Sequence, residues 1–172
     1  MCIRDRREFD QVFAIMEEAF PKEEIRTYEG QLNLLENPYY WLKRKMDEEG
    51  NLTAFLAVWE FEEFSFVEHL AVSREFRGNG IGGLMMREYI QQSVKPVVLE
   101  VELPETDIAK RRIAFYERLG FQLNDFAYQQ PPMRKGHGWY PLMIMSFPSS
   151  LTEEEFEPIK KKIYREVYQT RE

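Results

Sequence analysis

Five segments of the chain have the pattern of helices. They cover residues 8–20, 27–36, 81–93, 107–119 and 153–170. Pro21 ends the first segment, and Gly120 supplies a C-terminal cap for the fourth. Thr152 and Glu155 have the spacing of a capping box, which predicts where the last helix begins.

Six further segments are rich in aromatic, β-branched and other apolar residues, which predicts strands. They cover residues 39–46, 52–61, 65–72, 96–102, 121–128 and 142–147. Polar residues 47–51 separate the first two strands as in a hairpin, and Glu62 and Glu63 form a tight turn before the third. The order ααβββαβαββα predicts an α/β fold with a mixed, mostly antiparallel central sheet. One parallel βαβ unit is expected in that sheet, and helices are expected to flank it.

The composition restricts the class of protein. The chain has 172 residues, which suits one domain, and no apolar run is long enough to cross a membrane. The formal net charge of -7 disfavours binding to nucleic acid and favours cationic small molecules or basic peptides as partners. One cysteine and two histidines give no disulfide framework and no basis for a metal site, so a cytoplasmic setting is expected.

The first six residues, MCIRDR, are similar to the translation of an adapter used in preparing sequencing libraries. We expect them to be a non-native leader, to which Cys2 would belong. The predicted domain then covers residues 7–172, with 150–172 as a helical extension at its C-terminus.

A glycine-rich loop lies between the third strand and the third helix. Its sequence, RGNGIGG over residues 77–83, brings several backbone N–H groups close to a helix N-terminus, which favours a phosphate or pyrophosphate ligand. A turn without a ligand is the simplest alternative. A dinucleotide fingerprint is another, because Gly78, Gly80 and Gly83 have the GxGxxG spacing and an acid follows about 20 residues on. Five residues, 73–77, separate this fingerprint from the preceding strand, however, and the preceding strands are antiparallel, which argues against a dinucleotide site.

Two motifs resemble the GNAT superfamily of acyl-CoA-dependent N-acyltransferases. Leu70-Ala71-Val72 followed by Arg77-x-x-Gly80-x-Gly82 resembles the coenzyme A motif of that superfamily, and the segment FYERLGF over 115–121 resembles its next helix and strand. The resemblance covers residues 39–147 and implies acetyl-CoA as the co-substrate. It also implies a GNAT-like fold whose first strand is missing here.

The resemblance assigns roles to particular residues. The backbone of three strand residues would pair with the pantetheine arm, and the following loop would hold the pyrophosphate: Leu70, Ala71, Val72, Arg77, Gly78, Asn79, Gly80, Ile81, Gly82 and Gly83. Tyr116 matches the general acid that protonates the departing thiolate. Ala109 stands where many members have an asparagine, so that pantetheine contact is absent or replaced. Arg77 either contacts the ligand or braces the loop.

The general base is less well defined by the sequence. Glu100 lies on a strand where some members of the superfamily carry a base, and Glu68 and Glu102 are its rivals. His69 follows Glu68 directly and is expected on the opposite face of its strand, so the two should not form a dyad.

The sequence therefore predicts an enzyme that transfers an acetyl group from acetyl-CoA to a primary amine by direct attack. A cationic acceptor suits the acidic chain, no metal is needed, and a homodimer is allowed. The alternatives are a non-catalytic acyl-CoA sensor on the same fold and a nucleotide-dependent oxidoreductase.

Overall fold

The computed structural model describes residues 2–3 and 5–170 of the chain. Its helices are α1 (Arg6–Ala19), α2 (Tyr28–Asn33), α3 (Ile81–Gln92), α4 (Asp107–Arg118) and α5 (Glu153–Lys162). Three short 3₁₀ turns cover Lys22–Glu24, Leu34–Glu36 and Arg74–Phe76, and a π-helix continues α5 over Ile163–Val167. The predicted capping box is present, since Thr152 and Glu155 exchange side-chain and backbone hydrogen bonds.

Six strands form one mixed sheet. They are β1 (Tyr40–Met46), β2 (Leu52–Glu60), β3 (Ser65–Val72), β4 (Val97–Glu102), β5 (Gln122–Gln130) and β6 (Tyr140–Phe147), in the spatial order β1-β2-β3-β4-β6-β5. Every neighbouring pair is antiparallel except β3 and β4. The predicted element order and the single parallel pair are confirmed.

The parallel pair is short, and this creates the opening that the site uses. Only three residue pairs join β3 to β4, and the last of them is Val67 with Leu99. Beyond that pair the strands diverge, so the backbone of β3 from residue 68 to 72 has no strand beside it on the β4 side.

Each face of the sheet carries its own hydrophobic core. On one face, α1, the C-terminal helices and large aromatic residues such as Phe9, Trp59 and Phe156 pack together. On the other face, α3 and α4 pack against the sheet, and Met86 of α3 and Ile113 of α4 are among the buried residues there. The site described below lies where the split between β3 and β4 connects these two layers.

A β-bulge at Glu68 corrects the expected placement of His69. Ala57 pairs with His69 while Val58 pairs with Val67, so Glu68 is an extra residue on β3. Strict alternation would separate the two side chains, but the bulge turns both towards the α1 face. Glu68 there contacts Trp59, and His69 contacts Phe20 with ring centroids 4.8 Å apart.

The N-terminal residues that the structure describes lie beside β1. Cys2 forms a single antiparallel bridge with Lys43, and the amide of Ile3 donates a 2.7 Å hydrogen bond to the carbonyl of Leu42. Ile3 is fully buried in the core on the α1 face. This single bridge lies at the β1 edge of the sheet, where the first strand implied by the family resemblance is missing. Within residues 2–3 and 5–170, no helix is long and apolar enough to cross a membrane.

Candidate active site

The glycine loop ends directly on the N-terminus of α3. Gly78 and Gly80 have φ angles of 88° and 73°, in the left-handed region that favours glycine, and Gly80 is the N-cap of α3. The carbonyl of Gly80 accepts the amide of Leu84, which is the first bond of the helix. The amides of the first turn therefore precede any intrahelical partner and are directed outwards, as an anion site requires.

A cavity of about 310 Å³ lies between this loop, the open edge of β3 and α4. It is lined by nine of the ten residues that the sequence assigned to coenzyme binding: Leu70, Ala71, Val72, Arg77, Gly78, Gly80, Ile81, Gly82 and Gly83. From α4, Arg112, Phe115 and Tyr116 complete the wall. A Cβ on Gly82 would lie 3.3 Å from Cγ2 of Val72, so this glycine permits the close approach of α3 to β3.

The side chains of Arg77 and Asn79 contact neighbouring protein groups and so stabilise the loop. Nε of Arg77 donates to the carbonyl of Val72 at 3.1 Å, and its Nη2 lies 3.7 Å from Oε1 of Glu18. Nδ2 of Asn79 donates to the carbonyl of Phe76 at 3.2 Å. Of the two roles that the sequence left open for Arg77, these contacts favour the brace. They also occupy the carbonyl of Val72, one of the backbone groups expected to meet the pantetheine arm.

Tyr116 lies where two cavities meet. Its ring packs edge-on against Phe115 and Phe121 in the α4 layer. Burial raises the pKa of the Tyr116 phenol to about 12, and the charge of Arg112 lowers it to a smaller extent. With Leu70 and Arg112, Tyr116 lines both the 310 Å³ cavity and a smaller cavity of about 50 Å³ in the split between β3 and β4.

Glu100 lines the 50 Å³ cavity from β4. Its Oε2 accepts a hydrogen bond from the hydroxyl of Tyr128, and its Oε1 accepts one of 2.6 Å from the hydroxyl of Tyr168. Burial raises the pKa of Glu100 to about 7, although both tyrosine hydroxyls act in the opposite direction by stabilising the carboxylate. A carboxyl with this pKa exchanges its proton near neutrality.

Three further carboxyl groups line the same small cavity, those of Glu24, Glu68 and Glu102. Glu102 comes from β4, and Glu24 comes from the first 3₁₀ turn. Burial, followed by the negative charge of Glu102, raises the pKa of Glu24 to about 7. Sequence reasoning missed Glu24, because a charged residue in a short turn is ordinarily solvated and only the folded chain brings it against β4.

Glu68 is not available as a free base. Its Oε2 lies 2.9 Å from Nη1 of Arg26, and its Oε1 accepts a 2.8 Å hydrogen bond from Nε1 of Trp59. The ion pair is almost completely buried, so its disruption would leave an unpaired charge in the core. His69 is also committed to structure: its Nε2 contacts the carbonyl of Glu24 at 2.8 Å, and burial lowers its pKa.

This arrangement defines a class of protein. A mixed sheet splits beside its only parallel pair, and a glycine loop at a helix N-terminus stands over the split, which is the construction expected of an acyl-CoA-dependent acyltransferase. No group of three or more metal-ligating side chains occurs within the described part of the chain.

Comparison with known proteins gives the family. The model of the "Acetyltransferase (GNAT) family" matches residues 9–121, and the chain belongs to this family. Its sequence is 29% identical over 112 residues to the Bacillus subtilis (strain 168) protein named "Putative acetyltransferase YjbC". That match covers 63% of this chain and 58% of the relative, so the chain matches less than two thirds of the relative's length.

Solved structures agree with the fold. A GNAT-family structure from Bacteroides thetaiotaomicron superposes with a TM-score of 0.92 and 30% identity, over 99% of this chain and 98% of that one. The ribosomal-protein-S18-alanine N-acetyltransferase from Escherichia coli superposes with a TM-score of 0.65 over 90% of this chain and 95% of that one. At 20% identity the second likeness concerns the fold alone.

Proposed function

We propose that the protein transfers an acetyl group from acetyl-CoA to a primary amine. The observation that supports this reaction best is the junction of the two cavities at Leu70, Arg112 and Tyr116. One cavity carries the features of a coenzyme site, and the other contains carboxyl groups. A thioester lying in the first cavity would reach an amine lying in the second at this junction.

In the larger cavity, the coenzyme binds mainly to backbone groups of the protein. The amides of the α3 N-terminus and its glycine loop hold the pyrophosphate, where the helix dipole adds partial positive charge. The open edge of β3 from Leu70 to Val72, apart from the Val72 carbonyl that Arg77 holds, accepts the pantetheine arm like an added strand. A backbone N–H near Leu70 polarises the thioester carbonyl as the amine attacks.

Tyr116 is the general acid in this proposal. With a pKa of about 12, the phenol keeps its proton throughout the physiological pH range. The departing thiolate has a pKa of roughly 8–9, so complete transfer from this phenol is uphill; Tyr116 stabilises the charge that develops on sulfur by donating a hydrogen bond, and solvent replaces the proton when the thiol leaves. Burial of the phenol therefore preserves the acid in its active form until the C–S bond breaks.

Glu100 is the general base. The amine nitrogen must give up a proton before a neutral amide can form. A carboxylate with a pKa of about 7 accepts that proton near neutral pH. Glu24 and Glu102 lie at the same cavity and favour an acceptor that arrives as a cation. Glu68 adds little to this field, because Arg26 neutralises it at 2.9 Å.

A turnover screen tests the proposal. Purified protein is given acetyl-CoA and a panel of polyamines, lysine-like amines, aminoglycosides, amino acids and peptides, with release of free thiol as the readout. Amine-dependent thiol release, absent in Tyr116→Phe, supports the proposal. Saturable binding of acetyl-CoA without turnover on any amine would favour the sensor alternative, and binding of NAD in a fluorescence titration would favour the oxidoreductase.

A further inference from the structure

The C-terminal segment reaches into the proposed catalytic site. The hydroxyl of Tyr168, just beyond the π-helix, donates a 2.6 Å hydrogen bond to Oε1 of Glu100. The hydroxyl of Tyr128 on β5 donates to the other carboxylate oxygen. Each oxygen of Glu100 is thus held by one phenol, and the two phenols come from different elements.

Several contacts fix the segment that carries Tyr168. Nη2 of Arg26 donates a 2.9 Å hydrogen bond to the carbonyl of Val167, the residue before Tyr168. Ile163 and Val167 are buried in the core on the α1 face. The amide of Tyr168 donates to the carbonyl of Ile163 at 3.2 Å, the i→i+5 bond of the π-helix. Since π-helical turns often occur at functional sites, this local widening calls for an explanation beyond packing.

The same arginine connects the segment to β3. Arg26 donates to Val167 through Nη2 while its Nη1 lies 2.9 Å from Oε2 of Glu68. Glu68 is itself the bulged residue at the point where β3 leaves β4. The C-terminal segment is therefore tied to both strands that border the split, to β4 through Glu100 and to β3 through Arg26.

We propose that the C-terminal helix supplies a positioning residue to the active site, Tyr168, which with Tyr128 orients the carboxylate of Glu100 towards the acceptor amine. The inference rests on the proposed function, because it assigns Tyr168 a part in the same reaction. Tyr168 acts through Glu100 and is itself neither the general acid nor the general base.

The chemistry of the contact suits a base that must be charged but buried. A buried carboxylate is costly, and O–H donors offset part of that cost by stabilising the ionised form. Each carboxylate oxygen has a second lone pair, so a proton can still be accepted while both phenols remain bound. The charged and titratable groups whose interactions reach Glu100 are Glu24, Arg26, Glu68, Tyr128, Tyr164 and Tyr168. Glu102, Arg112 and Tyr116 line the same cavity.

These contacts determine in which direction the pKa of Glu100 shifts when a tyrosine hydroxyl is removed. Loss of the Tyr168 hydroxyl removes a donor that stabilises the carboxylate, so the pKa of Glu100 rises. The fraction of ionised base at a given pH below the plateau then falls. A purely structural role for Tyr168 would lower activity equally at every pH.

Three single-hydroxyl deletions test the inference. Tyr168→Phe and Tyr128→Phe remove the two donors to Glu100 and keep both rings. Tyr164→Phe is the matched control on the same helix, since its hydroxyl donates to the backbone carbonyl of Gln129 at 2.6 Å. The carboxyl of Glu100 is titrated by 13C NMR in substrate-free protein labelled on glutamate, with its signal assigned by its loss in Glu100→Gln. The pH dependence of kcat/KM is measured in parallel with the best acceptor.

We expect Tyr168→Phe and Tyr128→Phe each to raise the pKa of Glu100 by about one unit, with the acid limb of kcat/KM moving by the same amount. Tyr164→Phe should move neither. An unchanged titration in both donor variants, or a loss of activity that is independent of pH, would overturn the inference. The titration needs no turnover, so a protein that acetylates no amine would refute the proposed function while the NMR result still decides whether Tyr168 controls Glu100.

Discussion

Tyr116 and Glu100 line the same 50 Å³ cavity although their side chains belong to opposite layers of the molecule. The ring of Tyr116 packs within the α3–α4 layer, whereas Glu100 is held by two tyrosines of the layer that contains α1 and the C-terminal helices. They can meet only because β3 and β4 separate after three residue pairs. An acid and a base so arranged approach a reacting centre from two sides, as a proton donor to sulfur and a proton acceptor from nitrogen should.

The glycine loop can be tested against a control that carries a similar backbone strain. Asparagine tolerates the left-handed conformation better than other non-glycine residues, so Gly80→Asn should fold while its side chain intrudes on the anion site. We expect acetyl-CoA affinity, measured by calorimetry, to fall about tenfold or more. Gly50→Asn is the matched control, because Gly50 has a φ of 85° in a remote hairpin turn. A Cβ added there would have nothing within 4 Å. Equal affinity in the two variants would remove the loop from the coenzyme site.

The acid role proposed for Tyr116 predicts a kinetic effect of removing its hydroxyl. Tyr116→Phe should lower kcat by roughly 10²–10⁴-fold, the contribution of a positioned acid, and leave acetyl-CoA affinity almost unchanged. Tyr89→Phe is the control, since it also removes a partly buried hydroxyl. That hydroxyl donates to Glu60 at 2.5 Å, and Tyr89 lines neither of the two cavities. The wild-type rate should show no alkaline decline from this phenol below about pH 11, because its pKa is about 12. Full kcat in Tyr116→Phe, measured where chemistry limits the rate, would reduce Tyr116 to a packing residue.

The carboxyl groups at the cavity predict the charge of the acceptor. Glu102→Gln should raise KM for a polyamine or lysine-like amine and weaken the dependence of kcat/KM on salt, because the screening length falls from roughly 10 Å at 0.1 M to about 3 Å at 1 M. Glu63→Gln, on the exposed β2–β3 turn, changes net charge equally and should have no such effect. The idea fails if a neutral or acidic amine is the best acceptor and its rate is unaffected by salt.

The buried carboxyls also predict how stability varies with pH. Folding raises the pKa of Glu100 from an ordinary 4.5 to about 7, so the folded protein holds a proton there that the unfolded chain releases between these values. The stabilisation is complete below pH 4.5 and is lost as pH rises through 7, and Glu24 acts with the same sign.

Thermal unfolding checks this expectation. The change in Tm between pH 5.5 and 8.5 should be smaller in Glu100→Gln than in the wild type, whereas Glu63→Gln should retain the wild-type pH dependence. If Glu100→Gln follows the wild-type curve, the buried carboxyl is not the source of the effect.

The sequence predicted the elements well because their signals are local. Helix faces, turns and the capping box at Thr152 depend on neighbours within a few residues, and the observed boundaries lie within about three residues of the predicted ones for most elements. The glycine motif also carries its own geometry, so the residues around the coenzyme cavity could be chosen before the fold was known. Their functional roles remain predictions until the variants above are measured.

What the sequence did not predict depends on contacts between distant parts of the chain. The bulge at Glu68 arises from a register shift against β2, and it turns two consecutive side chains to one face. Glu24 and Tyr168 lie on a short turn and at the end of a helix, and nothing in their local pattern distinguishes them from solvated surface residues. Both reach β4 only in the folded chain, where burial is the main cause that raises the pKa of Glu24 and of Glu100 to about 7.

The short contact between β3 and β4 also makes the molecule mechanically divisible. The sheet consists of two three-stranded halves that share three residue pairs, so this seam is its weakest line against shear. A molecule lying along the open stretch would touch β3 on one side and α4 on the other, and would fasten the halves together. As the site fills, the free energy of unfolding would then rise by RT ln(1 + [L]/Kd). If that molecule is the proposed coenzyme, its supply would set the stability of the folded protein as well as the rate of the proposed reaction.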